Sequence, residues 1–221
     1  MYSTARFALQ VPNEPRRLAV CTAVASAELR NFVVISNKKN MRKYKNPAAE
    51  AFSMHPKDYF YNYCIRVLLE RVSEWCAHRA VKETGRPQPV KLIFSKRGGH
   101  SYRHVYTYLS LLKKQTEESR LFQTARAVDF RVVDPANVEV IAHQINAGCQ
   151  VADVVASAFF QAANAGTRHW TTRHAEALRP RMASRGSIFA NAGVTLLPWK
   201  NWTLNLSEDQ KSIFRFYGYQ I

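Results

Sequence analysis

Apolar and polar positions along the chain alternate between helical and extended periods. From Arg16 to Glu28, the residues Leu18, Cys21, Val24 and Ala25 fall on one side of a helix. Asn31 to Ser36 (NFVVIS) is a compact apolar, β-branched run, the pattern of a buried strand. The longest helix is predicted over Asp58 to Val81. There Phe60, Cys64, Val67, Leu68, Val72 and Trp75 recur at helical spacing, and Asn62, Arg66, Glu70 and Ser73 form the opposite, polar face. Gly85 to Pro89 breaks the pattern. Val90 to Phe94 predicts a second strand, Ser95 to Gly99 a turn, and Tyr102 to Glu118 a helix with Val105, Tyr108, Leu109 and Leu112 on one side. Phe130 to Val133 predicts a third short strand, stopped by Asp134-Pro135. Gln150 to Asn164 is a nearly all-apolar helix, and Thr172 to Ala183 a further helical stretch interrupted by Pro180.

Strands separated by helical crossovers imply an α/β fold. Neither an internal repeat nor a composition shift marks a second domain, so the expectation is one domain over residues 1–221. Residues 1–15 are irregular, and residues 185–221 form an aromatic-rich C-terminal extension without clear periodicity. The chain has 221 residues, 47% of them apolar, enough to build a core. No run approaches the roughly 18 apolar residues of a membrane span, and Met1 to Arg17 lacks the pattern of a signal peptide. Cys21, Cys64, Cys76 and Cys149 are widely spaced. They read as buried small hydrophobes in a reducing, cytoplasmic setting, Cys64 and Cys76 within the long helix. No membrane partner is expected.

Charge changes the picture. Lys and Arg total 32 against 16 Asp and Glu, a net +16. Such an excess favours polyanionic partners through counterion release and long-range attraction, which points to DNA or RNA. Two basic segments follow predicted strands: Lys38, Lys39, Arg42 and Lys43 after the first, Lys96 and Arg97 with Gly98-Gly99 after the second. The latter offers charge and open backbone amides, the elements of a phosphate cradle.

Carboxylates are the other candidates. On the apolar helix, Gln150, Asp153, Ser157, Gln161 and Asn164 lie three or four apart and form a narrow polar stripe. A carboxylate there needs a partner: Asp153 is either a metal ligand or general base, or a structural acid held by an Arg or backbone donor. Glu70 is one turn from Arg66, where a surface ion pair is the simpler reading. Asp134 ends a predicted strand, where α/β folds place ligands, although Asp-Pro also starts ordinary turns. His174-Ala175-Glu176 matches one element of a deaminase zinc site but lacks its cysteines, and reads as a solvated helical pair.

Four blocks in order carry a family resemblance: Val33 to Met41, Leu68 to Ser73, Leu92 to Gly99 with Tyr102 and Tyr108-Leu109 after it, and Gln150 to Ser157. Together with residues 174–198, they resemble the family labelled domain of unknown function 3800, which has a ribonuclease-H-like fold. The resemblance implies a mixed sheet flanked by helices and a nuclease-like site. Asp153 and Glu70 then match acidic motif positions, and Lys38 and Arg97 basic ones. One departure stands out. The family begins with a strand carrying Asp-Glu-Ser-Gly, whereas only Glu14 and Glu28 are acidic before Glu50 here, so the resemblance implies that the family's N-terminal strands are missing. The chain is then a fragment or has a shifted start, is a degenerate binding-only relative, or is completed by a partner chain. The expected function is metal-assisted phosphodiester hydrolysis with Mg or Mn held by Asp153, Glu70 and Asp134, Asp153 and Glu70 being catalytic. Lys38, Lys39, Arg42, Lys43, Lys96 and Arg97 would hold the phosphates. The alternative is a non-catalytic nucleic-acid-binding module, or an interaction subunit whose exposed sheet edge docks a second copy or a partner chain.

Overall fold

The computed structural model describes residues 13–37, 56–96, 102–118, 126–198 and 205–221. Its strands pair in two separate two-stranded parallel sheets, so the architecture is mixed α/β with small parallel sheets. A single mixed sheet, as the resemblance implied, is not what the described strands form. The chain divides into two compact units, Met1–Arg42 with Asn146–Ile221, and Lys43–Ile145.

The first unit opens with α1 (Glu14–Ser26), which starts two residues before the apolar pattern because Pro15 fits a first turn that needs no amide donor. Strand β1 (Val33–Ser36) follows. In the second unit are α2 (Pro56–Thr84), β2 (Val90–Ser95), α3 (Tyr102–Glu117) and β3 (Val133–Ile141). The first unit resumes with α4 (Ala147–Ala163), the short α5 (Arg173–Ala177), β4 (Val194–Leu197) and α6 (Glu208–Phe216). Helix α5 gives way to a 3-10 turn at Arg179–Arg181, so Pro180 ends the regular helix as its missing donor requires.

In the first unit β1 lies parallel to β4, Val33 opposite Val194 and Ser36 opposite Leu197. The core joins Cys21 and Val24 of α1, Val154, Val155, Ala158, Phe159 and Ala162 of α4, Val194 and Leu196 of β4, and Ile213 and Phe214 of α6. The C-terminal stretch without legible periodicity thus supplies a strand and a helix to this core. Tyr217 is fully buried and its hydroxyl donates to the Ala175 carbonyl at 2.6 Å. The Tyr219 hydroxyl accepts from the outward Leu196 amide at 2.9 Å, satisfying a donor that a lone sheet edge would expose. The last carbonyls of α4 are capped by side chains, Ala162 by Trp170 Nε1 (3.0 Å) and Ala163 by Gln210 Nε2 (2.6 Å). Gly193 is required by space: a Cβ there would stand 2.2 Å from the Ala183 carbonyl oxygen. Cys21 and Cys149 are buried, and burial pushes the Cys21 thiol up to about 11. Cys64 and Cys76 are only half-buried, less than the apolar pattern suggested.

In the second unit β2, α3 and β3 make a parallel βαβ unit. Val105, Tyr108, Leu109 and Leu112 of α3 are all buried, against Ile65 and Leu69 of α2 and Leu92 and Val133 of the sheet, so the sequence pattern located this face correctly.

Two expectations are corrected here. The third strand does not stop at Asp134-Pro135: residues 130–132 form the turn, and β3 begins at Val133 and continues to Ile141. Register passes from Val90 opposite Val133 to Leu92 opposite Val138, so residues 134–137 bulge out against one residue of β2. A bulge tolerates Pro135 because that position makes no ladder hydrogen bond. Asn137 Nδ2 replaces part of the ladder by donating to the Val90 carbonyl at 3.0 Å.

The second correction concerns α2. Most of its polar side is buried and most of its apolar side is not: Asn62, Glu70 and Ser73 are buried and Arg66 half-buried, whereas Phe60, Cys64, Leu68, Val72 and Trp75 are half-buried and only Val67 of that set is buried. Polar residues sit in the interior when their bonds are made there, and Ser73 Oγ accepts from the Asp129 amide at 3.0 Å.

Candidate functional site

Helix α4 is the element on which the sequence placed its leading candidate. Asn146 caps it, its side chain accepting from the Cys149 amide at 2.9 Å. The polar stripe is there, and it sinks into the unit toward the C-terminal end of the helix. Gln150 and Asp153 are half-buried, Ser157 is 1% exposed and Gln161 4%. Asn164 is the residue that ends the helix.

The stripe meets a residue the sequence reading misjudged. His174, expected to be solvated, is 2% exposed, and its Nδ1 lies 2.9 Å from Gln161 Oε1. The Gln161 contact engages Nδ1, as donor or as acceptor according to the tautomer of the ring. Burial holds the His174 pKa below its ordinary value, with Arg17 and Arg173 pulling the same way and Glu14 opposing them. The buried His174 Nε2 and Ser157 Oγ have no hydrogen-bond partner among the described residues. An imidazole has the chemistry of a base or ligand, but at this burial a substrate arriving from solvent does not reach it. The sequence carried little signal for it, since the partner Gln161 comes from a different helix.

Glu70 lies in the second unit, and its environment is closed. Oε1 accepts from Arg66 at 2.9 Å and Oε2 from Arg71 at 3.3 Å, with both guanidinium side chains largely buried. Arg71 also donates to the Val67 carbonyl. Burial works against the Arg66 charge, but Glu70, and after it Tyr108, hold its proton more tightly than usual. The Arg66 pair expected from the spacing is therefore present, inside the unit and enlarged to a triad. One carboxylate between two guanidiniums leaves a net positive charge, which repels a metal ion.

Asp134 is exposed near the start of β3, its Oδ1 accepting from the Ala136 amide at 3.0 Å, a local turn contact at the bulge. Among the described residues, no three His, Cys, Asp or Glu side chains come together as a metal site. The described residues by themselves do not assemble a ligand set for the Mg or Mn ion that the nuclease expectation calls for.

Of the basic candidates, Lys38, Lys39, Arg42, Lys43 and Arg97 lie outside the described residues. Lys96 is exposed just past the end of β2, its amide donating to the Ile141 carbonyl at 2.7 Å. That end of a parallel strand is where α/β folds present ligand-binding loops.

The acids of the described surface are mostly paired. Glu14 meets Arg173 at 3.0 Å, Glu139 meets Lys91 at 2.5 Å, Asp129 meets Arg131 at 2.7 Å, and Glu208 meets both Lys211 (2.6 Å) and Arg215 (2.9 Å). Glu83 pairs with Arg79 in the same way. Each of these acids is neutralised locally, and the surplus of cations over acids sets the sign of the field. Compared with protein-family models, with curated proteins and with solved structures, the chain matches none of them.

Proposed function

We propose that this protein is a nucleic-acid-binding domain that holds its partner through the phosphate backbone. The observation that carries the reading is the net charge of +16, together with surface acids such as Glu14, Asp129 and Glu139 that are already paired with cations. A field of this sign draws polyanions and makes binding fall steeply with salt. Lys96 at the end of β2 supports the same reading, and Lys38, Lys39, Arg42, Lys43 and Arg97 add charge to it from their sequence positions. The ribonuclease-H-like assignment of the α/β fold belongs to this proposal and rests on the order of the four sequence blocks. A cytoplasmic setting belongs to it too, supported by the four widely spaced cysteines. No described helix is long and apolar enough to cross a membrane.

The test is fluorescence anisotropy with labelled single- and double-stranded DNA and RNA over a range of salt concentrations. Binding whose affinity falls linearly on a log–log plot against salt is expected. Absence of binding, or affinity indifferent to salt, defeats the reading.

A second reading, metal-assisted cleavage, is favoured by the position of Asp153 at the half-buried mouth of the α4 stripe. It requires acids beyond those the described residues bring together, from the rest of the chain or from a partner chain. Mg²⁺- or Mn²⁺-dependent cleavage that Asp153→Asn abolishes would establish it; cleavage equal in wild type and Asp153→Asn would remove Asp153 from it.

A further inference from the structure

The first unit carries a cleft of about 450 Å³ that none of the expectations above includes. Arg30, Glu176, Arg179, Met182, Ser184 and Phe189 line it. The volume is within the range of small-ligand sites, and its polar walls distinguish it from a gap in the core.

Arg179 is the informative residue. Its guanidinium carbon sits 4.8 Å from the centre of the Phe189 ring and 5.4 Å from that of Phe216. Aromatic faces attract a cation without using its N–H groups. Arg179 is thereby positioned while its donors stay available; no carboxylate pairs with it among the described residues. Arg66, Arg79, Arg131, Arg173 and Arg215 are each held by an acid instead. Arg30, on the cleft wall, donates to the carbonyl of its neighbour Leu29 at 3.2 Å and has no carboxylate partner among the described residues. The planar guanidinium fork matches the oxygens of a phosphate. Phe216, in contact with Arg179, is 41% exposed and presents a ring to solvent. Glu176 is the single acid among the lining residues, so the wall retains an excess of positive charge.

We propose that this cleft is a phosphate subsite for single-stranded nucleic acid, in which Arg179 and Arg30 grip one phosphodiester and the Phe216 ring receives a neighbouring base. A single strand is the partner because a base must be unpaired to stack on a side chain. The subsite rests on the nucleic-acid reading above and gives it a location.

The experiment measures anisotropy of labelled short oligothymidine and oligouridine strands with the full chain. Arg179→Ala weakens binding roughly tenfold and lowers the salt slope by about one phosphate contact. Arg179→Lys restores the salt slope but not the full affinity, because an ammonium lacks the fork. Phe216→Ala weakens binding roughly tenfold and leaves the salt slope unchanged. Arg131→Ala, whose guanidinium is already engaged by Asp129, binds as wild type. Arg179 and Arg30 are exposed, so thermal melts of the variants match wild type. A wild-type chain that binds no strand at any salt defeats the nucleic-acid reading and the subsite together. Wild-type binding with normal salt dependence, matched by Arg179→Ala and Arg30→Ala, defeats the subsite alone. Inorganic phosphate titrated by itself separates the two anion sources. If phosphate raises the melting temperature through Arg179 while strand affinity is indifferent to Arg179→Ala, the cleft is a free-anion site and the strand assignment is overturned.

Discussion

Helices α2 and α4 both carry polar side chains into the interior of their units, and they satisfy them differently. In α2 the charges engage one another, with a net positive charge left over: Glu70 lies between Arg66 and Arg71, and Ser73 takes the Asp129 amide. In α4 the polar groups are neutral and incompletely matched. Gln161 reaches His174, but Ser157 Oγ and His174 Nε2 keep unmet bonding capacity. A closed ionic network holds one geometry and offers nothing to a ligand. A neutral, partly satisfied network costs less to open and responds to protonation. The contrast shows why a buried acid is weak grounds for a catalytic role: the deepest carboxylate here is the one whose oxygens are already taken.

The comparison breaks most visibly at Glu70. Glu70→Ala leaves two guanidiniums buried together and is expected to cost about 3–5 kcal/mol in chemical denaturation. The triple replacement of Arg66, Glu70 and Arg71 by leucine or methionine should recover most of that loss, because removing every charge also removes the cost of burying them. Stability of Glu70→Ala equal to wild type would show that the triad is not closed. On the α4 side, Gln161→Leu leaves the buried His174 Nδ1 without its partner and should cost about 1–3 kcal/mol.

A smaller effect distinguishes the two networks by pH. The folded-state pKa of His174 is lowered, chiefly by burial. The unfolded chain therefore binds the extra proton first, and stability falls as pH drops below the ordinary histidine value of 6.5 toward the lowered folded value. The unfolding free energy should decline over that window by at most about 1.4 kcal/mol per pH unit from this group. The decline should shrink in His174→Gln, and an identical slope in the variant would remove His174 as its source. The smallest change is expected at Ser157. Removing a buried hydroxyl that lacks a partner should be neutral or stabilise by up to about 1 kcal/mol, so a large loss in Ser157→Ala would mean the hydroxyl is bonded after all.

Much of the local structure was legible because it follows from periodicity. The face of α3 holding Val105, Tyr108, Leu109 and Leu112 was placed correctly, and so was the position of β1, although that strand is half-buried and not buried as its apolar run suggested. The polar stripe of α4 was also readable, since spacing alone puts Asp153, Ser157 and Gln161 on one side. The reading of α2 failed where polarity was taken as a measure of exposure; burial there depends on partners such as Arg71 and Asp129 that periodicity does not rank. The strand at Pro135 failed because a bulge, not the proline, determines where the ladder resumes.

What the sequence alone determined, then, is the α/β alternation, the apolar faces of α3 and α4, and the cationic surplus, because each depends on residue type and short-range spacing. Only the tertiary structure decided that Glu70 is enclosed by arginines, that His174 meets Gln161, and that Arg179 rests against Phe189 and Phe216. These are contacts between side chains whose separation along the chain carries no period. They come about when the backbone brings distant segments within a few ångströms, and at that range local charge pairing and desolvation, not net composition, fix what each group can do.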